Sequence, residues 1–249
     1  MKIFESHAHL DSKDFNEDRD EVIEQCRKAG VEYIINVGCD EETSRKSIEL
    51  AKKYDLIYAT VGYHPHDADK FDEKKLRSFA KKKKVVAIGE IGLDYYRNLS
   101  LASTQIYAFE EQLKIAKEMN LPVVIHDRDA HEDTMEILLK HKPEKLVFHC
   151  YSGDLAMAKK ILEQGWFISF TGTVTYKNTT LKEAVKMVPQ DRFFIETDSP
   201  YLSPVPYRGK RNAPFRLQHV IEKISELKRI TPNKVAEYSF ENARKFFGI

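Results

Sequence analysis

The segment Lys2-Ile3-Phe4-Glu5-Ser6-His7-Ala8-His9 joins a short apolar run to two histidines that are one residue apart. Residues i and i+2 of a β-strand point to the same side, so His7 and His9 can bind one ion if the segment is a strand. A lone histidine after an apolar strand is more often a hydrogen-bonded core or loop residue than a ligand. The ends of the other strands therefore decide how this pair is interpreted.

Seven further runs have the length and the β-branched or aromatic composition of strands. Together with Lys2–Glu5, the predicted strands are Tyr33–Val37, Ile57–Val61, Val85–Glu90, Pro122–His126, Leu146–His149, Phe167–Thr171 and Phe193–Thr197. The segments between them space their apolar residues as amphipathic helices do. After Thr231-Pro232, an N-cap residue and a proline predict an additional C-terminal helix that runs to Phe247.

Eight strands that alternate with helices over 249 residues predict a TIM (β/α)8 barrel with an extra C-terminal helix. An open, doubly wound sheet is the alternative, because alternation alone does not show whether the sheet closes. The barrel is favoured because polar residues follow the strands, and the active sites of TIM barrels lie at the carboxyl ends of their strands. No linker of biased composition divides the chain, so we expect a single domain over residues 1–249.

Five of the predicted strands end in groups that can bind a metal. These are His7 and His9 after the first strand, Glu90 at the fourth, His126 at the fifth, His149 at the sixth and Asp198 after the eighth. Burial of an unpaired carboxylate or charged imidazole costs several kcal/mol, which a metal ion would offset. Four imidazoles and two carboxylates exceed the needs of one tetrahedral ion and suit two divalent ions that share a carboxylate, for which Glu90 is the candidate.

Seven motifs follow one another along the chain: Ser6-His7-Ala8-His9-Leu10-Asp11, Asn36-Val37-Gly38, Gly62-Tyr63-His64-Pro65-His66, Gly89-Glu90-Ile91-Gly92-Leu93-Asp94-Tyr95-Tyr96, Ile125-His126-Asp127-Arg128-Asp129-Ala130, His149-Cys150-Tyr151-Ser152-Gly153 and Glu196-Thr197-Asp198-Ser199-Pro200-Tyr201-Leu202. In this order they resemble the TatD family of metal-dependent hydrolases, within the wider amidohydrolase-like group of TIM barrels. The resemblance covers essentially the whole chain.

The resemblance apportions the ligands between two ions. It implies that His7, His9, Glu90 and Asp198 hold one divalent ion, and that Glu90, His126 and His149 hold the second. One departure follows the eighth strand, where many relatives have Arg-Asn-Glu-Pro and this chain has Arg211-Asn212-Ala213-Pro214. Any contact that the glutamate makes in those relatives is therefore in doubt here, whereas all six ligands are present.

Hydrolysis of ester bonds is the activity that the resemblance implies, most often that of a deoxyribonuclease. We predict a two-metal phosphodiesterase acting on DNA or another phosphodiester, in which two cations activate a bridging water and neutralise the phosphoryl oxygens. Glu90 and Asp198 are the predicted catalytic residues, and Asp198 either accepts the water's proton or is only a ligand. Zinc, manganese, iron or cobalt suits nitrogen and oxygen ligands, and magnesium suits them less.

Five further residues are candidates beside the ligands. We expect His64, Arg128, Arg208 and Arg211 to contact the phosphate of a substrate, and Asp94 to orient a ligand histidine. Each has a structural alternative, which is a loop residue for His64, a helix cap for Asp94 and an ion pair or a solvated loop for the arginines.

Charge and composition restrict the binding partners and the location. Lys and Arg number 40 and Asp and Glu 39, so the net charge of +1 predicts no general attraction to nucleic acid. The basic run Lys81–Lys84 precedes the fourth strand and is expected at the opposite end of the barrel. Three cysteines without CxxC spacing and the lack of a long apolar run predict a cytoplasmic protein with no membrane contact. Nothing in the sequence indicates an obligate protein partner.

Two alternatives to the nuclease remain open. The first is an amidohydrolase-type enzyme that cleaves a small cyclic amide or ester, although such enzymes commonly place a carboxylated lysine where this chain has Glu90. The second is a metal-stabilised binding protein without turnover. Metal analysis with nuclease and amidase assays separates the three.

Overall fold

Eight parallel strands form one sheet in the computed structural model, which describes residues 1–249. The sheet follows the chain in the order β1-β2-β3-β4-β5-β6-β7-β8. The strands are β1 Ile3–Ala8, β2 Val31–Val37, β3 Ile57–Val61, β4 Val85–Asp94, β5 Val123–Arg128, β6 Leu146–Phe148, β7 Phe167–Phe170 and β8 Phe193–Ile195.

Helices separate the strands and follow the last of them. They are α1 Arg19–Lys28, α2 Glu41–Lys53, α3 Glu73–Ala80, α4 Ala102–Glu118, α5 His131–His141, α6 Leu155–Glu163, α7 Lys182–Met187, α8 Leu217–Lys228 and α9 Pro232–Phe247. Short 3-10 helices lie at Lys13–Phe15, Pro65–Lys70, Gly172–Thr175 and Pro214–Arg216. This succession is the (β/α)8 topology of TIM barrels. None of the helices has both the length and the apolar character that crossing a bilayer requires.

Two compact units account for the contacts of the chain, and each is described by itself. The first comprises Met1–Ile35 and Cys150–Ile249, and the second comprises Asn36–His149. That residues 1–249 form a single domain stays a prediction.

In the first unit, α9 carries the aromatic side of the core. Phe247 stacks on Phe4 of β1 at 5.9 Å between ring centroids, and Phe246 lies edge-on to Phe194 of β8 at 5.2 Å. The Ser239 hydroxyl accepts a hydrogen bond from the Ile195 backbone N–H at 3.0 Å. Helix α9 therefore supports both strands from which the polar residues of this unit extend.

In the second unit, α4 holds the ends of two strands through buried glutamines. The Gln105 side chain accepts a hydrogen bond from the Asp94 N–H at 2.9 Å and donates one to the Asp94 carbonyl at 3.2 Å. Gln112 does the same at Tyr63, at 2.7 and 3.0 Å. Each glutamine satisfies one buried peptide unit that no neighbouring strand reaches.

Strand β4 is longer than predicted and continues past Glu90 to Asp94. Its pairing with β5 shifts register between Ile88 and Ile91. Gly92 has φ of +144°, and a Cβ at this position would overlap the carbonyl oxygen of His126. A glycine therefore lets β4 run close beside β5, so that Glu90 lies within the strand and Asp94 at its end.

Candidate metal centre

Three predicted ligands lie together in the first unit, and we call His7, His9 and Asp198 the β1 cluster. The Nε2 atoms of the two histidines are 3.3 Å apart, and they lie 3.7 and 3.3 Å from Asp198 Oδ1. An ion with bonds of about 2.0–2.2 Å separates tetrahedral donors by roughly 3.3–3.6 Å. The spacing of these donors therefore fits one divalent ion.

Backbone hydrogen bonds place Asp198 beside β1. The Asp198 N–H donates to the His7 carbonyl at 2.9 Å, and the His9 N–H donates to the Ser199 carbonyl at 2.8 Å. Asp198 itself has φ of +55°, a left-handed conformation that aspartate adopts more readily than most residues. Asn212 donates to the carbonyls of Thr197 and Tyr201, at 3.1 and 2.8 Å, and so fixes the loop on both sides of Asp198.

Two buried glutamates support the β1 cluster from behind. Glu5 accepts hydrogen bonds from the Thr197 hydroxyl at 2.6 Å and from the His7 N–H at 3.1 Å. Burial raises the pKa of Glu5 to about 8, although these hydrogen bonds act in the opposite direction. Glu196 accepts a hydrogen bond from the Cys150 N–H at 2.6 Å. Sequence reasoning missed both roles, and the available signal was an acidic residue inside an apolar strand.

Four predicted site residues of the second unit converge on one carboxylate oxygen, and we call Glu90, His64, His126 and His149 the β4 cluster. Oε1 of Glu90 lies 2.7 Å from His126 Nδ1, 2.9 Å from His149 Nε2 and 3.5 Å from His64 Nε2. Burial alone would raise the pKa of Glu90, but the imidazoles of His149 and His64 and the hydrogen bonds from His126 hold it well below its ordinary value.

Asp94 fixes the orientation of His126. Its Oδ2 atom lies 3.1 Å from His126 Nε2 and 2.8 Å from His66 Nε2, and its Oδ1 atom accepts from the Arg97 N–H. Burial lowers the pKa of His126, but the hydrogen bonds to Asp94 and Glu90 outweigh it and leave the pKa raised. With Nε2–H donated to Asp94, Nδ1 is the atom that can exchange its proton for a metal ion.

His64 has the opposite polarity. Its Nδ1 atom accepts a hydrogen bond from the His66 backbone N–H at 3.1 Å. Burial lowers the pKa of His64 to about 4, helped by the charge on His126, so its ring is neutral at pH 7. A neutral imidazole that accepts at Nδ1 carries its proton on Nε2. This ring therefore presents a donor beside Glu90 rather than a lone pair for an ion.

The predicted phosphate contacts are distributed more widely. Arg128 lies over the Tyr96 ring at 3.8 Å, and Arg208 lies over the Tyr176 ring at 4.2 Å. Arg211 binds the Asp18 carboxylate and is already paired. Their roles toward a substrate stay predictions.

A family model described as TatD related DNase matches residues 4–248. The chain belongs to the TatD family. It is 42% identical over 253 residues to the uncharacterized metal-dependent hydrolase YabD of Bacillus subtilis (strain 168), with 99% of both chains covered. It is 35% identical over 259 residues to the 3'-5' ssDNA/RNA exonuclease TatD of Erwinia amylovora, with 99% of this chain and 100% of the relative covered.

A solved relative shows the fold of this family. The crystal structure of YJJV, a TatD homologue from Escherichia coli K12, is 28% identical and superposes with a TM-score of 0.93 over 99% of this chain and 98% of that one. The predicted TIM barrel with its extra C-terminal helix is confirmed. The resemblance based on the seven motifs is confirmed too, and the chain is a metal-dependent hydrolase of the TatD family.

Proposed function

We propose that this TatD-family hydrolase cleaves phosphodiester bonds of DNA with two divalent ions. One ion would be held by the β1 cluster and the other by Glu90, His126 and His149 of the β4 cluster. The observation that carries the proposal is Glu90, a buried carboxylate with one oxygen within 2.9 Å of two imidazole nitrogens. The sharing of Glu90 between both ions stays a prediction of the sequence.

The chemistry of the donors fits such ions. Imidazole nitrogen and carboxylate oxygen bind zinc, manganese, iron and cobalt, and they bind magnesium less well. When bound, divalent ions lower the pKa of a water towards neutrality and offset the charge on phosphoryl oxygens.

The residues of the chain supply the remaining functions. Asp198 is placed to accept the proton of the attacking water, in addition to its contact with the two histidines. His64 offers its Nε2–H to a phosphate oxygen, because its other nitrogen is occupied by a backbone N–H. Asp94 keeps His126 in the tautomer that leaves Nδ1 for the ion. The relative named as an exonuclease on single-stranded DNA and RNA supports nucleic acid as the substrate.

The test combines metal content with activity. The purified chain is supplemented with each divalent metal in turn, and bound metal is measured beside hydrolysis of DNA and of a cyclic amide. Glu90→Ala and Asp198→Asn are compared with wild type and with Glu183→Gln, which changes an exposed residue of α7. We expect two ions per chain and DNA hydrolysis that only the first two variants lose. Less than one ion per chain, or DNA hydrolysis that survives both variants, would refute the proposal.

A further inference from the structure

A cavity of about 430 Å³ opens in the first unit, where the chain leaves β6, β7 and β8. Residues Cys150–Ser152 form one side, the segment from Thr173 to Leu181 forms another, and Arg208 completes it. Its volume falls in the range of roughly 300–1,000 Å³ that is typical of pockets for small molecules. The mechanism proposed above assigns no role to this space.

The charge of the cavity is one-sided. Its lining includes two cations, Lys177 and Arg208, and no carboxylate. This is unusual in a chain with 39 acidic and 40 basic residues. No aspartate or glutamate forms an ion pair with either cation, whereas Arg211 nearby in sequence is paired with Asp18. Both cations are therefore available to an anionic ligand.

Hydrogen bonds make the walls rigid before any ligand arrives. The Tyr176 hydroxyl donates to the Ser203 carbonyl at 3.1 Å, and the Val205 N–H donates to the Thr175 hydroxyl at 2.9 Å. The guanidinium of Arg208 rests on the Tyr176 ring at 4.2 Å, which limits the positions that this long side chain can take. A cation that is already ordered loses less conformational entropy when it binds an anion.

The cavity is linked to the β1 cluster by one hydrogen-bonded path. Cys150 lies in its wall and donates its N–H to Glu196, which stands two residues before Asp198 in the chain. The second oxygen of Glu196 lies 3.3 Å from the Ser6 hydroxyl, next to His7. A ligand in the cavity thus lies against the residues that carry the β1 cluster.

We propose that this cavity binds one nucleotide residue of the substrate, with its phosphate on Arg208 and Lys177. Hydroxyl groups of Thr173, Thr179 and Thr180 line the remaining space and suit the polar edges of a sugar and a base. Inorganic phosphate would leave most of the volume unfilled, and a base pair is too large for it. This assignment rests on the proposed function, since it names a part of the same substrate.

The first test measures binding directly. Thymidine 5'-monophosphate, thymidine and inorganic phosphate are titrated calorimetrically into the metal-loaded chain. We expect the monophosphate to bind best, because it alone supplies both phosphate and nucleoside. Arg208→Gln should weaken monophosphate binding by about 10- to 100-fold, as is typical of a lost charge-assisted hydrogen bond. Lys177→Gln should weaken it less, and neither variant should change the affinity for thymidine.

Arg244→Gln is the matched control, since Arg244 lies on α9 and pairs with Glu241. Arg208 is exposed, so its substitution leaves the core intact, which circular dichroism verifies. Equal monophosphate affinity in wild type and Arg208→Gln would overturn the assignment, and so would inorganic phosphate that binds as tightly as the monophosphate.

Activity then separates this assignment from the proposed function. On a DNA oligonucleotide, Arg208→Gln should raise KM by a similar factor with little change in kcat. If the wild type hydrolyses no DNA but its monophosphate affinity depends on Arg208, the proposed function fails and the cavity assignment stands. If DNA is hydrolysed but monophosphate affinity and KM ignore Arg208, the cavity assignment fails and the proposed function stands.

Discussion

The β1 cluster and the β4 cluster offer the same kinds of ligand but hold them differently. At the β4 cluster, two imidazole nitrogens lie 2.7 and 2.9 Å from one oxygen of Glu90, which are the lengths of charge-assisted hydrogen bonds. At the β1 cluster, the imidazole nitrogens lie 3.3 and 3.7 Å from Asp198. Protons thus hold the β4 cluster together, whereas the donors of the β1 cluster already have the spacing of a coordination shell.

This difference shows two ways of keeping buried ligands stable without an ion. The β4 cluster balances its carboxylate with imidazoles and must release protons when a metal binds. The β1 cluster has a neutral neighbour instead, because the raised pKa of Glu5 leaves this buried carboxyl largely protonated near neutral pH.

Removal of the shared acceptor of the β4 cluster should have the largest effect. Glu90→Gln keeps the size of the side chain but removes the charge that holds His126 and His149. We expect kcat on DNA to fall by roughly 1,000-fold or more, since ion binding and water activation are lost together. Steady-state kinetics and metal analysis check this, with Glu183→Gln as the control. Unchanged metal content would show that the β4 cluster does not bind the ion through Glu90.

The support behind the β1 cluster should appear in the pH dependence of stability. The pKa of Glu5 is about 8 in the folded chain and near 4.5 when unfolded, so between these values the folded state holds one more proton. Stability contributed by this group is therefore complete below pH 4.5 and decreases as the pH rises towards 8, by up to about 1.4 kcal/mol per pH unit. Glu5→Gln should remove this decrease.

Urea unfolding of the metal-free chain at several pH values measures the effect. Glu32→Gln, an exposed residue of the same unit, is the control and should keep the wild-type slope. If wild type and Glu5→Gln show the same slope, Glu5 is ionised in the folded chain.

The orientation of His126 provides a sharper comparison within the β4 cluster. Asp94→Asn removes the carboxylate that accepts its Nε2–H, and we expect metal affinity to fall by about 10- to 100-fold. Competition with a chromophoric chelator measures it. Asp191→Asn is the control, because Asp191 is exposed and distant in the sequence from every ligand. A loss of the same size in both variants would mean that Asp94 has no specific role.

The smallest effect should come from the scaffold beneath the β4 cluster. Gln112→Ala leaves the buried N–H and carbonyl of Tyr63 without their partner, which should cost about 1–3 kcal/mol of unfolding free energy. Denaturant unfolding measures it against Gln218→Ala, which changes an exposed residue of α8. Equal stabilities would show that water replaces the glutamine.

The sequence revealed most of what is encoded locally. Strand composition, the His-Ala-His spacing and the order of the motifs predicted the fold and the family, because each depends on a few adjacent residues. The extension of β4 to Asp94 was missed, since it depends on the fit of Gly92 against β5. Gln105 and Gln112 were missed because their partners are 11 and 49 residues away in the chain. The cavity at Arg208 was missed for the same reason, because three separate loops build it.

Helix α4 also works as a calliper. Its two glutamines are seven residues apart, which is about two helical turns, so both side chains emerge from one face. One jaw grips the peptide of Asp94 and the other grips the peptide of Tyr63, next to His64. One residue inserted between the jaws would rotate them apart by roughly 100°, whereas seven inserted residues would leave them aligned but too widely set. The distance between the two peptides is thus written into the length of a helix that touches no ligand.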